Sequence, residues 1–197
     1  MKIFYGALIM LILLTATTSA AEPVRIARLP IIFQCTLPDD DGARAALERQ
    51  LERATHIPLN GTLQVAEYLS PIDSVNVFNE LWQEISAANK KAKFADVMRP
   101  LAEKLDADII VCPIVHRYSQ INTQSFNWYG DMIVDSRAEV ELIVYDRRSD
   151  NLADKKASRM YHDTWSGTGT AAYLASICFE KVIADTKLHE LIRAIGK

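Results

Sequence analysis

The sequence predicts an α/β protein whose mixed sheet of about five strands carries helices on both faces, in three layers. Residues 109–115 (IIVCPIV) form a short and wholly apolar run, which is typical of a strand buried on both faces. Residues 137–145 begin with an alternation of polar and apolar side chains, which indicates a strand with one solvated face. Other segments repeat apolar residues at spacings of three and four, as helices with one buried side do.

The first half of the chain is expected to alternate strands and helices. In order, these are a strand over residues 24–34, a helix over 43–54, a strand over 63–69, a helix from Ser70 onward and a helix over 94–105. Pro30 interrupts the first strand, because proline cannot donate to a strand ladder. Ser70 suits a helix N-cap and Pro71 the first helical position. This order predicts parallel strands joined by right-handed crossovers.

The second half is expected to be a meander followed by one long helix. The predicted parts are a strand from residue 109, a polar loop over 119–130, a strand over 131–146, a charged turn over 146–154, a strand over 157–165, a capping loop over 166–170 and a final helix. Strands joined by short turns are antiparallel. The buried stripe expected on the final helix consists of Tyr173, Leu174, Ile177, Cys178, Lys181 or Val182, Leu188, Leu191, Ile192 and Ile195.

Composition narrows the class of protein. The chain has 197 residues, of which 49% are hydrophobic and 24% charged, with a formal net charge of −3. These values fit one globular domain, which we expect over residues 22–197. A slightly acidic chain without clustered lysine and arginine argues against nucleic acid as a partner.

The first 21 residues predict export. Lys2 is followed by an apolar run over residues 3–14 and by small or polar residues over 15–21, the pattern of a signal peptide cleaved after Ala20 or Ala21. No cysteine follows the apolar run, so lipidation is not expected, and no later segment is apolar enough to span a membrane. We therefore expect a periplasmic or secreted protein without a transmembrane segment after cleavage.

Three cysteines remain after the predicted cleavage, namely Cys35, Cys112 and Cys178. An odd number permits at most one intramolecular bridge. One interpretation is that all three are small buried hydrophobic residues. The alternatives are a Cys35–Cys112 disulfide between neighbouring strands, or a nucleophilic cysteine.

Three stretches carry a family resemblance: residues 25–30 (RIARLP), the helix-to-strand junction over 101–111 (LAEKLDADIIV) and residues 140–146 (VELIVYD). On these stretches the chain resembles bacterial envelope proteins that include the curli secretion protein CsgG, the N-terminal domain of TolB and LpoB-like lipoproteins. The resemblance implies a TolB N-terminal-like three-layer fold and a non-enzymatic envelope protein that binds or assembles with partners. Pro113 stands where that group usually has glycine.

Phe126, Trp128 and Tyr129 lie within four residues on a polar loop, and large aromatic side chains in such a place are typical of a docking surface. We expect binding there, although the three rings could also fold back over the sheet. A second set, His116, His162 and Asp163, suggests an alternative site for acid–base or metal chemistry.

The leading hypothesis is therefore an exported, non-enzymatic binding or assembly module of the cell envelope, whose partner is an envelope protein or a second copy of itself. No catalytic residue, metal ligand or cofactor is assigned. The alternatives are a small exported hydrolase or metal-dependent enzyme built around His116, His162 and Asp163, and a small-ligand-binding protein with an apolar pocket between sheet and helix.

Overall fold

The computed structural model describes residues 23–36, 41–56, 66–124 and 131–195. Strands in these ranges are β1 (Val24–Arg28), β2 (Ile32–Phe33), β3 (Ala66–Tyr68), β4 (Ile109–Gln124), β5 (Met132–Asp146) and β6 (Asn151–Thr164). Helices are α1 (Asp41–Thr55), α2 (Pro71–Ala88), α3 (Ala95–Leu105), α4 (Ala171–Asp185) and α5 (Leu188–Ile195), and a 3-10 turn spans Gly167–Gly169.

These strands form one mixed sheet in the order β3-β1-β4-β5-β6, with β2 paired to β4 beyond the end of β1. β1 is parallel to β3 and β4, whereas β4, β5 and β6 are antiparallel neighbours. The predicted fold class is confirmed. The break after β1 falls at Pro30, as expected from its missing N–H.

Helices cover both faces of the sheet. The α4 face is covered by α1, α4 and α5, where Phe179 and Leu51 belong to one core with Val140. The α3 face is covered by α2 and α3, where Met98 and Leu101 belong to a second core. β4 contributes Ile109, Val111 and Val115 to the first core and Ile110, Cys112 and Ile114 to the second. The apolar run is thus buried on both sides because its alternate side chains enter two cores.

The turn before β4 is fixed by carboxylates. Asp106 ends α3 in the left-handed region with φ of 50°, and its carboxylate accepts hydrogen bonds from Arg25 at 2.8 Å and Arg147 at 2.9 Å. The Asp108 carboxylate accepts the backbone N–H of Arg25 at 2.9 Å. These bonds tie the start of β4 to both of its neighbouring strands. Ser70 caps α2 as predicted, accepting the N–H of Asp73 at 3.4 Å.

Two strands are longer than predicted. β4 continues through residues 119–124, which were expected to be loop, and β6 begins at Asn151 within the expected charged turn. The observed turn occupies only residues 147–150. Backbone pairing with β5 extends these polar segments, since ladder hydrogen bonds do not require apolar side chains.

The predicted final helix is divided in two. Lys187 adopts φ of 55° between α4 and α5, so the helical path is broken there. The predicted stripe is also shifted, because Tyr173 is 44% exposed while Phe179, which the stripe omitted, is fully buried. Leu174, Cys178, Val182, Leu188 and Ile192 are buried as expected.

Residues 1–22 lie outside the described residues, so the signal peptide and the domain boundary remain predictions. Within the described ranges, no helix combines the length and apolar character needed to span a bilayer.

Candidate functional site: the open face and edge of β4 to β6

The three long antiparallel strands continue past the helices on the α3 face. Along β5 the even-numbered residues Val134, Ser136 and Ala138 are buried under the α4 face, whereas Arg137 is exposed on the other side. No helix of the described ranges covers this area, which we call the open face. It is formed by Arg117, Ser119 and Ile121 of β4, Asp135, Arg137 and Glu139 of β5, and Ser158, Met160 and His162 of β6.

The open face combines ion pairs with apolar side chains. Arg117 lies 3.6 Å from Glu139, and the Asp135 carboxylate lies 3.5 Å from Arg137. Ile121 on β4 and Met160 on β6 are 63% and 66% exposed. A groove of about 410 Å³ is lined by residues of all three strands, among them Arg117 and Met160. Apolar side chains surrounded by charges are typical of protein-binding surfaces.

At its inner end the open face meets a cluster around Glu141. The Glu141 side chain is only 8% exposed, and it contacts the imidazole Nε2 of His116 and the Nζ of Lys156, the latter at 2.9 Å. Asp154 is hydrogen-bonded to the same carboxylate. A buried carboxylate needs such partners because an unpaired charge away from water is costly.

Protons are distributed unequally in this Glu141 cluster. Burial would raise the pKa of Glu141, but hydrogen bonds from Lys156, Asp154 and His116 outweigh it and hold that pKa below its usual value. Partial burial of the carboxyl and its hydrogen bond with Glu141 raise the pKa of Asp154 to about 6. The shared proton therefore resides on Asp154, while Glu141 carries the negative charge.

Replacing Asp154 by asparagine should make stability less dependent on pH. An acid whose pKa is raised from 3.8 to about 6 stabilises the fold below the lower value, and this contribution is lost as the pH rises to 6. Asp154→Asn should therefore be more stable than wild type at pH 7.5 by less than about 1 kcal/mol, since solvent screens this exposed group. Thermal unfolding at pH 7.5 and pH 4.5 checks this, and an equal gain at both would contradict it.

β6 forms the outer edge of this surface. It runs for 14 residues, and no strand in the described ranges pairs with its outer side. Its register with β5 is continuous and it contains no proline. Bulges, prolines and short length are usual means by which edge strands avoid pairing, and charged side chains are another, of which β6 carries Lys155, Lys156 and Arg159. β3 at the opposite edge has three residues within the described ranges.

Phe126, Trp128 and Tyr129 lie outside the described residues, in the connection between β4 and β5. Their role in binding therefore remains a prediction.

The structure does not bring His116, His162 and Asp163 together. His116 contacts Glu141, whereas His162 lies 3.4 Å from Asp135, and these two β5 residues are six positions apart. The Asp163 carboxylate accepts the N–H of Thr164 at 2.7 Å. The convergent site suggested by the sequence is thus not formed. In the described part of the chain, no group of three His, Cys, Asp or Glu side chains is arranged so that it could hold a metal ion.

Cys35, Cys112 and Cys178 are free thiols. The alternative of a Cys35–Cys112 disulfide is wrong, because Cys35 packs on the α4 face and Cys112 on the α3 face, with the sheet between them. Cys112 and Cys178 are fully buried, and burial raises the pKa of both thiols, which makes them poor nucleophiles.

A crevice of about 340 Å³ lies outside the carboxyl ends of β1 and β3. It is lined by Arg28, His56 and Tyr68, among others. In open α/β sheets this is a usual place for a ligand, where the connections leave toward opposite faces. This crevice lies at the ends of the strands, whereas the small-ligand alternative predicted an apolar pocket between sheet and helix.

The residues that sequence reasoning missed are Glu141, Asp154 and Lys156. Their signal was present, since Glu141 is a charged residue beside the apolar run over residues 142–145. Its partners come from strands 13 to 25 positions away, so only the register identifies them.

The fold is of the α/β class, with one open mixed sheet between two layers of helices. No family model and no curated protein matches the chain.

Similar solved structures come from bacteria. A hypothetical protein from Chlamydia trachomatis is 12% identical, with 87% of this chain and 99% of that chain covered and a TM-score of 0.48. A PelC dodecamer from Paraburkholderia phytofirmans is 13% identical, with coverage of 87% and 95% and a TM-score of 0.38. A lipoprotein from Neisseria meningitidis is 16% identical, with coverage of 82% and 99% and a TM-score of 0.38. The resemblance to CsgG, TolB and LpoB remains a prediction.

Proposed function

We propose that the protein is an exported module of the cell envelope that binds or assembles with other proteins through the open face and the β6 edge. The observation that carries this proposal is the uncovered surface of β4 to β6, with a free edge strand beside it. The signal-peptide pattern over residues 1–21 supports export.

Binding through this surface combines two interactions. Ile121 and Met160 offer apolar area between the ion pairs of the open face, and burial of such side chains is favourable. The outer side of β6 offers backbone N–H and C=O groups to an added strand. Phe126, Trp128 and Tyr129 follow β4 in the sequence, and large aromatic side chains of this kind are typical of binding surfaces.

The test is chemical crosslinking of the mature protein in its own envelope fraction, followed by recovery of the crosslinked species. Met160→Lys should reduce the crosslinked species about tenfold, because it places a charge in the apolar part of the open face. Trp128→Ala should reduce them as well, with little change in melting temperature.

Ile72→Lys is the matched control. Ile72 is 73% exposed at the start of α2, away from the open face, so its replacement should leave crosslinking as in wild type. Equal losses in Met160→Lys and Ile72→Lys, or no loss in either, would overturn the assignment of the binding surface.

A further inference from the structure

We infer that the partner of the β6 edge is the β6 strand of a second copy of this chain, paired antiparallel about a two-fold axis at Ser158. This inference rests on the proposed function and names the occupant of one part of its surface. The resulting sheet would run through both copies without interruption.

The two-fold axis restricts the register. Two identical edge strands that pair antiparallel are related by an axis perpendicular to the sheet. Side chains directly opposite each other share one face, because the side-chain period of a strand is two. One residue of β6 must therefore lie opposite its own copy, and the choice of that residue sets every other pair.

Charge excludes the registers on either side of Ser158. An axis at Lys156 or at Arg159 would place the positive charge of that residue directly opposite the same residue of the second copy. An axis at Ala157 would place Lys155 opposite Arg159 twice. An axis at Met160 avoids these repulsions but leaves the first five residues of β6, 151–155, without a partner.

The axis at Ser158 gives the longest ladder without a like-charge pair. Residues 152–164 all find partners within β6. Asp154 of one copy lies opposite His162 of the other, and this pair occurs twice. Since His162 also lies 3.4 Å from Asp135 of its own chain, the imidazole would sit between two carboxylates.

The remaining pairs are compatible as well. Lys156 lies opposite Met160, and Lys155 lies opposite Tyr161, whose ring favours a neighbouring cation. At the centre, two Ser158 side chains separate the Glu139 carboxylates of the two copies. The lysines of β6 thus disfavour registers in which they face a like charge, and they are compatible with the register at Ser158.

Single cysteines at three positions of the open face test the register directly. Each is introduced into the mature chain with Cys35→Ser as background, because Cys35 is the native thiol that is not fully buried. Ser158→Cys should form about tenfold more disulfide-linked dimer on mild oxidation than Lys156→Cys or Met160→Cys. Its Cα atoms would be about 5 Å apart, against about 13 Å for the other two.

A mixed sample provides the second readout. Lys156→Cys and Met160→Cys chains lie opposite each other in this register, so together they should form the disulfide that neither forms alone. Efficient crosslinking of Lys156→Cys or Met160→Cys alone would indicate another register and overturn the inference.

Light scattering of the unmodified mature chain separates this inference from the proposed function. A monomer at all concentrations, with no disulfide in any cysteine variant, would overturn self-pairing. If Met160→Lys still abolished crosslinks that Ile72→Lys retained, the binding surface would stand with a different protein as its occupant. If the chain were monomeric and Met160→Lys crosslinked as wild type does, both proposals would be overturned.

Discussion

Replacing Phe179 by alanine is expected to lower the free energy of unfolding by about 3–5 kcal/mol. Phe179 is fully buried on α4, where it packs in the core of the α4 face with Val140 and Leu142 of β5. Removing its ring leaves a cavity that the surrounding side chains fill only in part. Urea unfolding followed by circular dichroism measures the change. Such a loss is a large fraction of the stability of an ordinary domain.

Tyr173→Ala on the same helix is the matched control. Tyr173 is 44% exposed, so its removal should change the free energy of unfolding by less than about 0.5 kcal/mol. The sequence pattern had placed Tyr173 in the buried stripe and had left Phe179 out. Comparable losses in the two variants would show that the helix is rotated relative to the sheet.

Replacing Glu141 by glutamine is expected to cost about 2 kcal/mol of stability at pH 7. The variant removes the charged acceptor of Lys156 and the partner of His116, in a position that is 8% exposed. Breaking a fully buried ion pair would cost more, but Lys156 is 53% exposed and regains water. Urea unfolding at pH 7 checks this value.

Glu139→Gln gives the comparison on the same strand and the same face. Glu139 lies 3.6 Å from Arg117, which is 65% exposed, and surface ion pairs of this kind contribute little. We expect a change of less than about 0.5 kcal/mol. If Glu141→Gln were equally mild, the Glu141 cluster would have no structural role.

The predicted elements that the structure confirms rest on local signals. The apolar character of residues 109–115 alone predicts a strand buried on both faces. Ser70 and Pro71 mark the start of α2. The hairpin between β5 and β6 follows from a charged turn between two strand patterns. Each of these signals lies within a few residues, so no distant contact was needed to interpret it.

The differences arise where a distant segment decides the structure. Residues 119–124 look like a loop because they are polar, yet β5 pairs with them residue by residue. His116 and His162 look like partners, but the register gives each its own carboxylate on β5. The sequence pattern suggested that Cys35 and Cys112 are neighbours, yet they lie on opposite sides of the sheet.

Local patterns were enough to predict the fold class, the order of elements and the central buried strand, because hydrophobic periodicity and capping residues act over one or two turns of chain. How far β4 and β6 extend, and therefore which part of the sheet the described helices leave uncovered, follows from contacts between distant segments. The same is true of the charges that meet at Glu141. Both depend on cross-strand register, which is set by backbone pairing between segments far apart in the chain.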